Sequence, residues 1–252
     1  MSPQRTGRRG SRRRQDQDSI TLEGVETLTY NLAPTEVLTE QDIQTIHNAS
    51  MRLLSETGML LIDHVPALEN LKANGAKVDG ELVKIDEDTL MNFVNLAPKT
   101  FTQLARDERN NVPVGGNRII FAPVYGPAFV HDFDQGRRPS TLEDFHNFAK
   151  LVYMTPELHH AGGVLVEPND VGVDERHLDM LMAHMTLSNK AFMGNVIHPD
   201  NARDTVTMSE ILFGKEAIRE NPASLSIVSI SSPMRMDERM LSVLEVYAEA
   251  KQ

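Results

Sequence analysis

The chain has 252 residues, 40% of them apolar and none of them cysteine, with 25 basic against 36 acidic side chains and a formal net charge of −11. That length and apolar share suffice for one or two domains with a sizeable core, and the missing cysteine excludes disulfides, thiolate zinc sites and a cysteine nucleophile. No apolar run approaches the roughly 20 residues of a membrane span, so a cytoplasmic protein fits this composition best.

The charge is unevenly divided. Residues 1–15 carry six arginines (Arg5, Arg8, Arg9, Arg12, Arg13, Arg14) and no acid, which leaves the remaining body strongly acidic. Residues 1–20 read as a disordered Arg-rich arm that docks on the body or on a partner subunit. Nucleic-acid binding is disfavoured, because no aromatic residues interleave the basic ones and the acidic body repels phosphate. A targeting peptide is disfavoured too, because the arm runs into Asp16 and Asp18 without an apolar segment.

Residues 21–140 read as an α+β entry region. The run Thr39-Glu-Gln-Asp42 resembles a capping box opening a helix with Ile43, Ile46, Leu53 and Leu54, closed by Gly58. A second helix runs from Pro66 through Leu71 to a stop at Gly75, and Val78-Asp79-Gly80-Glu81 reads as a hairpin turn. Asp86 opens a third helix. Residues 101–133 are strand-rich, with a turn at Gly115-Gly116. Thr141-Leu-Glu-Asp144 caps the next helix, whose core face is predicted to be Phe145, Phe148 and Val152, and Ser140 marks the seam to a barrel-type repeat.

Residues 141–252 then read as strand-then-helix units. Strands are predicted at 163–167, 191–196 and 225–230, adjacent and parallel, each followed by an outer helix. The helices carry Leu178, Leu181, Met182, Met185 and Leu187 in the first unit, with Met180 also at core spacing. The second carries Ala202, Val206, Ile211 and Leu212 behind Pro199-Asp200, and the third Met240, Leu241, Leu244 and Tyr247. A βα repeat of about this spacing builds a barrel or an open doubly wound sheet, and periodicity alone does not separate them. The histidine pairs His159-His160 and His177 with His184 have poor spacing for one metal.

Several runs carry a family likeness: Gly7 to Arg14, Tyr125-Gly-Pro-Ala-Phe-Val-His-Asp-Phe-Asp134 with Arg138 to Asp144, Gly194-Asn-Val-Ile-His-Pro199, and Ser231-Ser-Pro-Met-Arg-Met-Asp237 before a helix. In this order they resemble the trimethylamine methyltransferase family, over about the first half of a member. The resemblance implies an α/β TIM barrel, incomplete in this chain. It also implies an enzyme of methylamine metabolism, including methanogenesis, that moves a methyl group from trimethylamine or a quaternary amine such as glycine betaine to the cobalt of a corrinoid protein. The implied partners are that corrinoid protein and a small methylated amine, with no zinc, no nucleic acid and no membrane, and a homo-oligomer for the full-length form. Members acting on trimethylamine carry pyrrolysine in the second half of the barrel, beyond these residues.

Barrel geometry puts candidate binding residues at strand carboxyl ends. These are Glu167, then Asn195 and His198, then Ser229 and Ser231, with Ser232 as a cap for the following helix. Glu167 either neutralises a substrate cation or is simply solvated, and His198 either contacts the corrinoid or caps a helix. Tyr125 is the best aromatic wall for a quaternary ammonium ion, and a tyrosine packed under a turn is its plainer reading. No residue is singled out as the catalytic one. The alternatives are a barrel fragment or scaffold that binds a partner, and an unrelated barrel lyase or aldolase. The second would need a lysine at a strand's carboxyl end, whereas Lys190 precedes its strand. Alone, the 252-residue chain is expected to be inactive and either unstable or oligomeric, because an open barrel exposes strand edges.

Overall fold

The computed structural model describes residues 26–33 and 35–252, and the Arg-rich arm lies outside them. After a short strand β1 (Leu28–Thr29), Thr39 and Asp42 form the anticipated reciprocal cap, and helix α1 (Glu40–Arg52) runs on through a π turn to Gly58. Strand β2 (Met59–Leu61), helix α2 (Val65–Ala73), hairpin β3 (Lys77–Asp79) and β4 (Leu82–Lys84), and helix α3 (Glu87–Val94) complete the first layer. The Asp86 carboxylate accepts the Thr89 N–H at 2.9 Å and so starts α3.

Strands β5 (Thr100–Gln103) and β6 (Val112–Gly115) pair antiparallel, and β7 (Arg118–Ile119) pairs with β1. A second hairpin comes next, β8 (Phe129–Asp132) with β9 (Gly136–Pro139). The chain continues through α4 (Leu142–Met154), α5 (Arg176–Leu187), β10 (Phe192–Met193), α6 (Pro199–Phe213), α7 (Lys215–Glu220), β11 (Ser224–Leu225), β12 (Arg235–Met236) and α8 (Glu238–Glu249).

The parallel strand–helix repeat is present, with a shifted register. Strand β10 pairs parallel with β11, and a parallel bridge joins His160 to Ala191. The Ala161 N–H donates to Ala191 O at 2.7 Å and the Met193 N–H to Gly162 O at 2.8 Å. The predicted strand at 163–167 therefore meets its neighbour about three residues earlier, at 160–162. Gly162, at φ +81°, turns the chain out of that ladder. Beyond it, the chain pairs on its other side: the Gly126 N–H donates to Val164 O at 2.7 Å and the Glu167 N–H to Pro127 O at 2.9 Å. With His159 and His160 N–H both directed at Phe121 O, residues 121–127 run parallel beside 159–167. The third predicted strand, 225–230, shrinks to β11, whose Leu225 O takes the Gly194 N–H at 2.8 Å. Among the described residues the sheet is not a closed barrel.

Strand β12 leaves this repeat and joins the first layer, giving the order β12-β2-β4-β3 with β12 parallel to β2. Leu61, Val83 and Leu241 are buried together there, so α8 bridges both parts of the fold. The main core lies between α4, α5 and residues 164–166, around Phe145, Ala149, Val152 and Met180.

Several helix faces differ from the spacing argument. In α4 the buried row is Phe145, Ala149 and Val152, while Phe148 turns outward. In α5 the buried residues include His177, Met180, Leu181, His184 and Met185, whereas Leu178 and Met182, four residues apart, share the outer face. Helix α6 buries Ala202, Thr205 and Ser209 and exposes Ile211. Its two hydroxyls donate to carbonyls one turn back, at 2.9 and 2.8 Å, which lets small polar residues line a close contact with α8. In α8, Val243 is buried and Leu244 exposed.

Candidate functional site

Tyr125 lies beside Gly163 and near the Glu167 carboxylate, while Tyr247, which senses Tyr125, lies against Gly194 and reaches the Asn195 carbonyl. Tyr125 packs against Gly163: a Cβ added there would come within 2.6 Å of Tyr125 Cε2 and 3.0 Å of Met193 Cβ. A Cβ added to Gly194 would stand 2.7 Å from Ser226 Oγ and 2.9 Å from Tyr247 Cζ. Each tyrosine thus sits against one glycine, Tyr125 on Gly163 and Tyr247 on Gly194. Tyr125 is 47% exposed and Tyr247 buried, so Tyr125 is the ring that a ligand can meet. Burial raises the Tyr125 hydroxyl pKa, and the Glu167 carboxylate raises it further. Glu167 in turn pairs with Arg176 Nη1 at 3.5 Å.

Asn195 is held from three sides. Its Oδ1 accepts the Ile197 N–H at 3.0 Å and Asn201 Nδ2 at 3.3 Å, and its backbone carbonyl accepts the Tyr247 hydroxyl at 2.6 Å. Because Oδ1 accepts a backbone N–H, the other amide atom must be the NH₂ group, and it donates to no acceptor among the described residues.

The remaining sequence candidates separate. His198 is the N-cap of α6, its Nδ1 accepting the Asp200 N–H at 3.2 Å. Ser229 and Ser231 are exposed, and Ser231 exchanges backbone hydrogen bonds with Arg235 at 2.8 Å in the turn before β12. Ser232 does not cap α8; the Asp237 carboxylate does, accepting the Met240 N–H at 2.9 Å. Asp237 immediately precedes the helix, whereas Ser232 lies beyond β12. Lys190 is buried at the opposite end of its strand, where its ammonium donates to Val152 O and Thr155 O at 2.8 Å and closes the carboxyl end of α4.

Beneath this mouth the strands are fastened by residues that spacing does not single out. Gln103, fully buried, donates to Phe192 O at 2.8 Å and Ala223 O at 3.2 Å, while its Oε1 accepts His160 Nε2 at 3.1 Å. One amide therefore ties three adjacent parallel segments to β5. The Gly162 N–H donates to His160 Nδ1 at 2.9 Å, which fixes the neutral tautomer. His184 donates from Nε2 to Gly163 O at 2.6 Å and packs edge-on against Phe145. Burial lowers both imidazole pKa values to about 4, with His184 adding to the effect on His160. His177 faces Asp204 at 2.8 Å. No group of three metal-ligating side chains occurs among the described residues, and none of their helices is long and apolar enough to cross a membrane.

Comparison with known proteins shows the family to which the chain belongs. Residues 4–252 match the model of the trimethylamine methyltransferase (MTTB) family, and the chain belongs to that family. It is 40% identical over 217 residues to a glycine betaine methyltransferase of Desulfitobacterium hafniense strain Y51, covering 86% of this chain and 45% of the relative. It is 30% identical over 167 residues to the proline betaine:corrinoid methyltransferase of Eubacterium limosum, covering 65% and 34%. It is 24% identical over 209 residues to the trimethylamine methyltransferase MttB of Desulfitobacterium hafniense strain DSM 10664 / DCB-2, covering 78% and 40%. The chain thus spans less than half the length of these curated relatives.

Proposed function

We propose that this chain is the barrel-entry part of a corrinoid-dependent methyltransferase that demethylates a betaine, a small zwitterion with a quaternary ammonium group and a carboxylate. The observation that carries the reading is the 40% identity to a glycine betaine methyltransferase over 86% of the chain, well above its likeness to a trimethylamine enzyme. The parallel strand–helix repeat is read as the first part of a TIM barrel whose mouth is the site described above.

The site suits a zwitterion. The Tyr125 face offers a methylated ammonium about 0.5–2 kcal/mol of attraction, depending on desolvation, and Glu167 adds a nearby negative charge. The free Asn195 NH₂ offers two donors to a carboxylate. In the reaction the methyl group leaves the nitrogen for cobalt(I), a corrinoid carried by a partner protein acting as acceptor. The nitrogen keeps the bonding electron pair and becomes a neutral tertiary amine. No proton has to move, so this chain's residues have only to bind, orient and exclude water. His198, Ser229 and Ser231 stay outside this reading as contacts.

Steady-state kinetics of the complete gene product tests it. Asn195→Leu is expected to raise KM for glycine betaine about tenfold or more, as loss of a charge-assisted hydrogen bond of roughly 1.5–3 kcal/mol requires. Its effect on a substrate lacking a carboxylate should be small. Equal losses with both substrates, or a matching fall in melting temperature, would show that Asn195 serves packing.

A further inference from the structure

At residue 195 the chain leaves β10, and side chains take over from the ladder. The Gly194 N–H still donates to Leu225 O at 2.8 Å, on the neighbouring strand. One residue on, the Asn195 N–H donates to the Thr205 hydroxyl of α6 at 3.3 Å, and the Asn195 C=O accepts the Tyr247 hydroxyl of α8 at 2.6 Å. The first bond fixes the peptide plane before the Asn195 Cα and the second fixes the plane after it. Together they set both soft dihedrals of the residue, and so the direction in which its side chain leaves the backbone.

Both grips are held firmly. Thr205 is fully buried, and its own proton goes to Asn201 O at 2.9 Å, on the residue whose amide donates to Asn195 Oδ1 at 3.3 Å. Tyr247 is 3% exposed, and burial raises its hydroxyl pKa, which keeps it a protonated donor. Gly194 makes room for the ring, since a Cβ there would stand 2.9 Å from Tyr247 Cζ. Helix α8 is pinned on either side of Tyr247. Leu241 packs with Leu61 and Val83 of the first layer, and the Gln252 amide donates to Ile218 O at 2.7 Å while accepting the Ala223 N–H at 2.8 Å, just ahead of β11.

We propose that Tyr247 and Thr205 are positioning residues: they set the two peptide planes flanking Asn195 and so aim its amide at the substrate carboxylate, without touching the substrate themselves. The proposal rests on the betaine reading, with Asn195 as the carboxylate contact, and adds to it the residues that aim that contact. It makes the buried α6 and α8 layer, and not only the strand ends, a determinant of affinity for a betaine.

A double-mutant cycle on the complete gene product tests this, with the dissociation constant for glycine betaine measured by isothermal titration calorimetry. Tyr247→Phe keeps the ring and is expected to weaken binding about fivefold, equivalent to about 1 kcal/mol. In an Asn195→Leu background the same change should have no effect, because the group it aims is gone. Thr205→Val should behave in the same way, and Thr205→Ser, which keeps the hydroxyl, should restore the wild-type affinity. A residue that merely supports the fold would weaken binding equally in both backgrounds. That result, or unchanged binding in both Tyr247→Phe and Thr205→Val, would overturn the positioning role alone. Wild-type affinity in Asn195→Leu itself would instead remove Asn195 as the carboxylate contact, and the positioning role with it. No binding of glycine betaine by the wild-type protein would sink the betaine reading, a result distinct from the others.

Discussion

Acid should loosen this fold well before its carboxylates are protonated. His160 and His184 are buried and neutral, with pKa values lowered from 6.5 to about 4, burial being the main cause for both. Since an unfolded chain has these imidazoles near 6.5, the unfolded state binds more protons between pH 6.5 and 4. Stability therefore falls as pH falls through that window. The drop to about 4 amounts to roughly 3 kcal/mol for each imidazole at full titration, and because His184 contributes to the His160 shift the two do not simply add. Either alone is a sizeable part of a domain stability of about 5–15 kcal/mol. Asp144, held low first by its Arg138 hydrogen bonds, loses its contribution only below its ordinary 3.8, outside the window. Urea unfolding followed by circular dichroism at half-unit steps from pH 7 to 4.5 measures the slope. His184→Gln can keep a donor to Gly163 O and should roughly halve that slope. A flat profile in the wild type, or an unchanged slope in the variant, would refute the claim that these imidazoles are buried neutral in the folded state.

Gln103→Leu removes hydrogen bonds to Phe192 O, Ala223 O and His160 and should cost about 2–4 kcal/mol in urea melts, since it strands buried polar partners. Lys190→Met should destabilise by about 1–3 kcal/mol because two carbonyls at the end of α4 lose their donor, visible as a lower thermal midpoint. Gly194→Ala should displace Tyr247 and Ser226 and so loosen Asn195; the expected readout is a raised KM for glycine betaine in the complete gene product, with a smaller change in thermal midpoint. Glu167→Ala should lower methyl transfer much more than it lowers melting temperature, and parallel losses would assign Glu167 to packing.

Features written in neighbouring residues were legible in the sequence. Thr39 with Asp42, Thr141 with Asp144, Asp86, Pro199 and Asp237 each start a helix within a few positions of the signal, because capping is a local hydrogen bond. The alternation of apolar runs with helices was legible too, but not the extent of the strands, which reduce to β10 paired with β11 and one bridge from His160 to Ala191. The segment at 121–127 was not, because Pro123, Gly126 and Pro127 break its pattern while its pairing lies with residues 159–167. Helix faces slipped where a small residue took the inward place, as Ala149 does beside Phe148. Of the candidate residues, Tyr125 and Glu167 lie near one another; spacing put Tyr247 on the core face of its helix, but its hydroxyl's acceptor 52 residues away and Gln103's partners 57, 89 and 120 residues away are invisible to spacing. Gly163 and Gly194 did leave a signal, glycine at the carboxyl end of a strand, where a side chain would fill the mouth.

The most direct test of the proposed methyl transfer tracks cobalt. The complete gene product is mixed with a corrinoid protein in the reduced cobalt(I) state, and the visible spectrum is recorded on adding glycine betaine, proline betaine or trimethylamine. The account predicts methyl-cobalt formation with a betaine, one demethylated amine released per methyl transferred, and a much weaker response to trimethylamine. Methylation by trimethylamine alone would contradict the betaine assignment, and an unchanged spectrum with all three would contradict the methyltransferase reading.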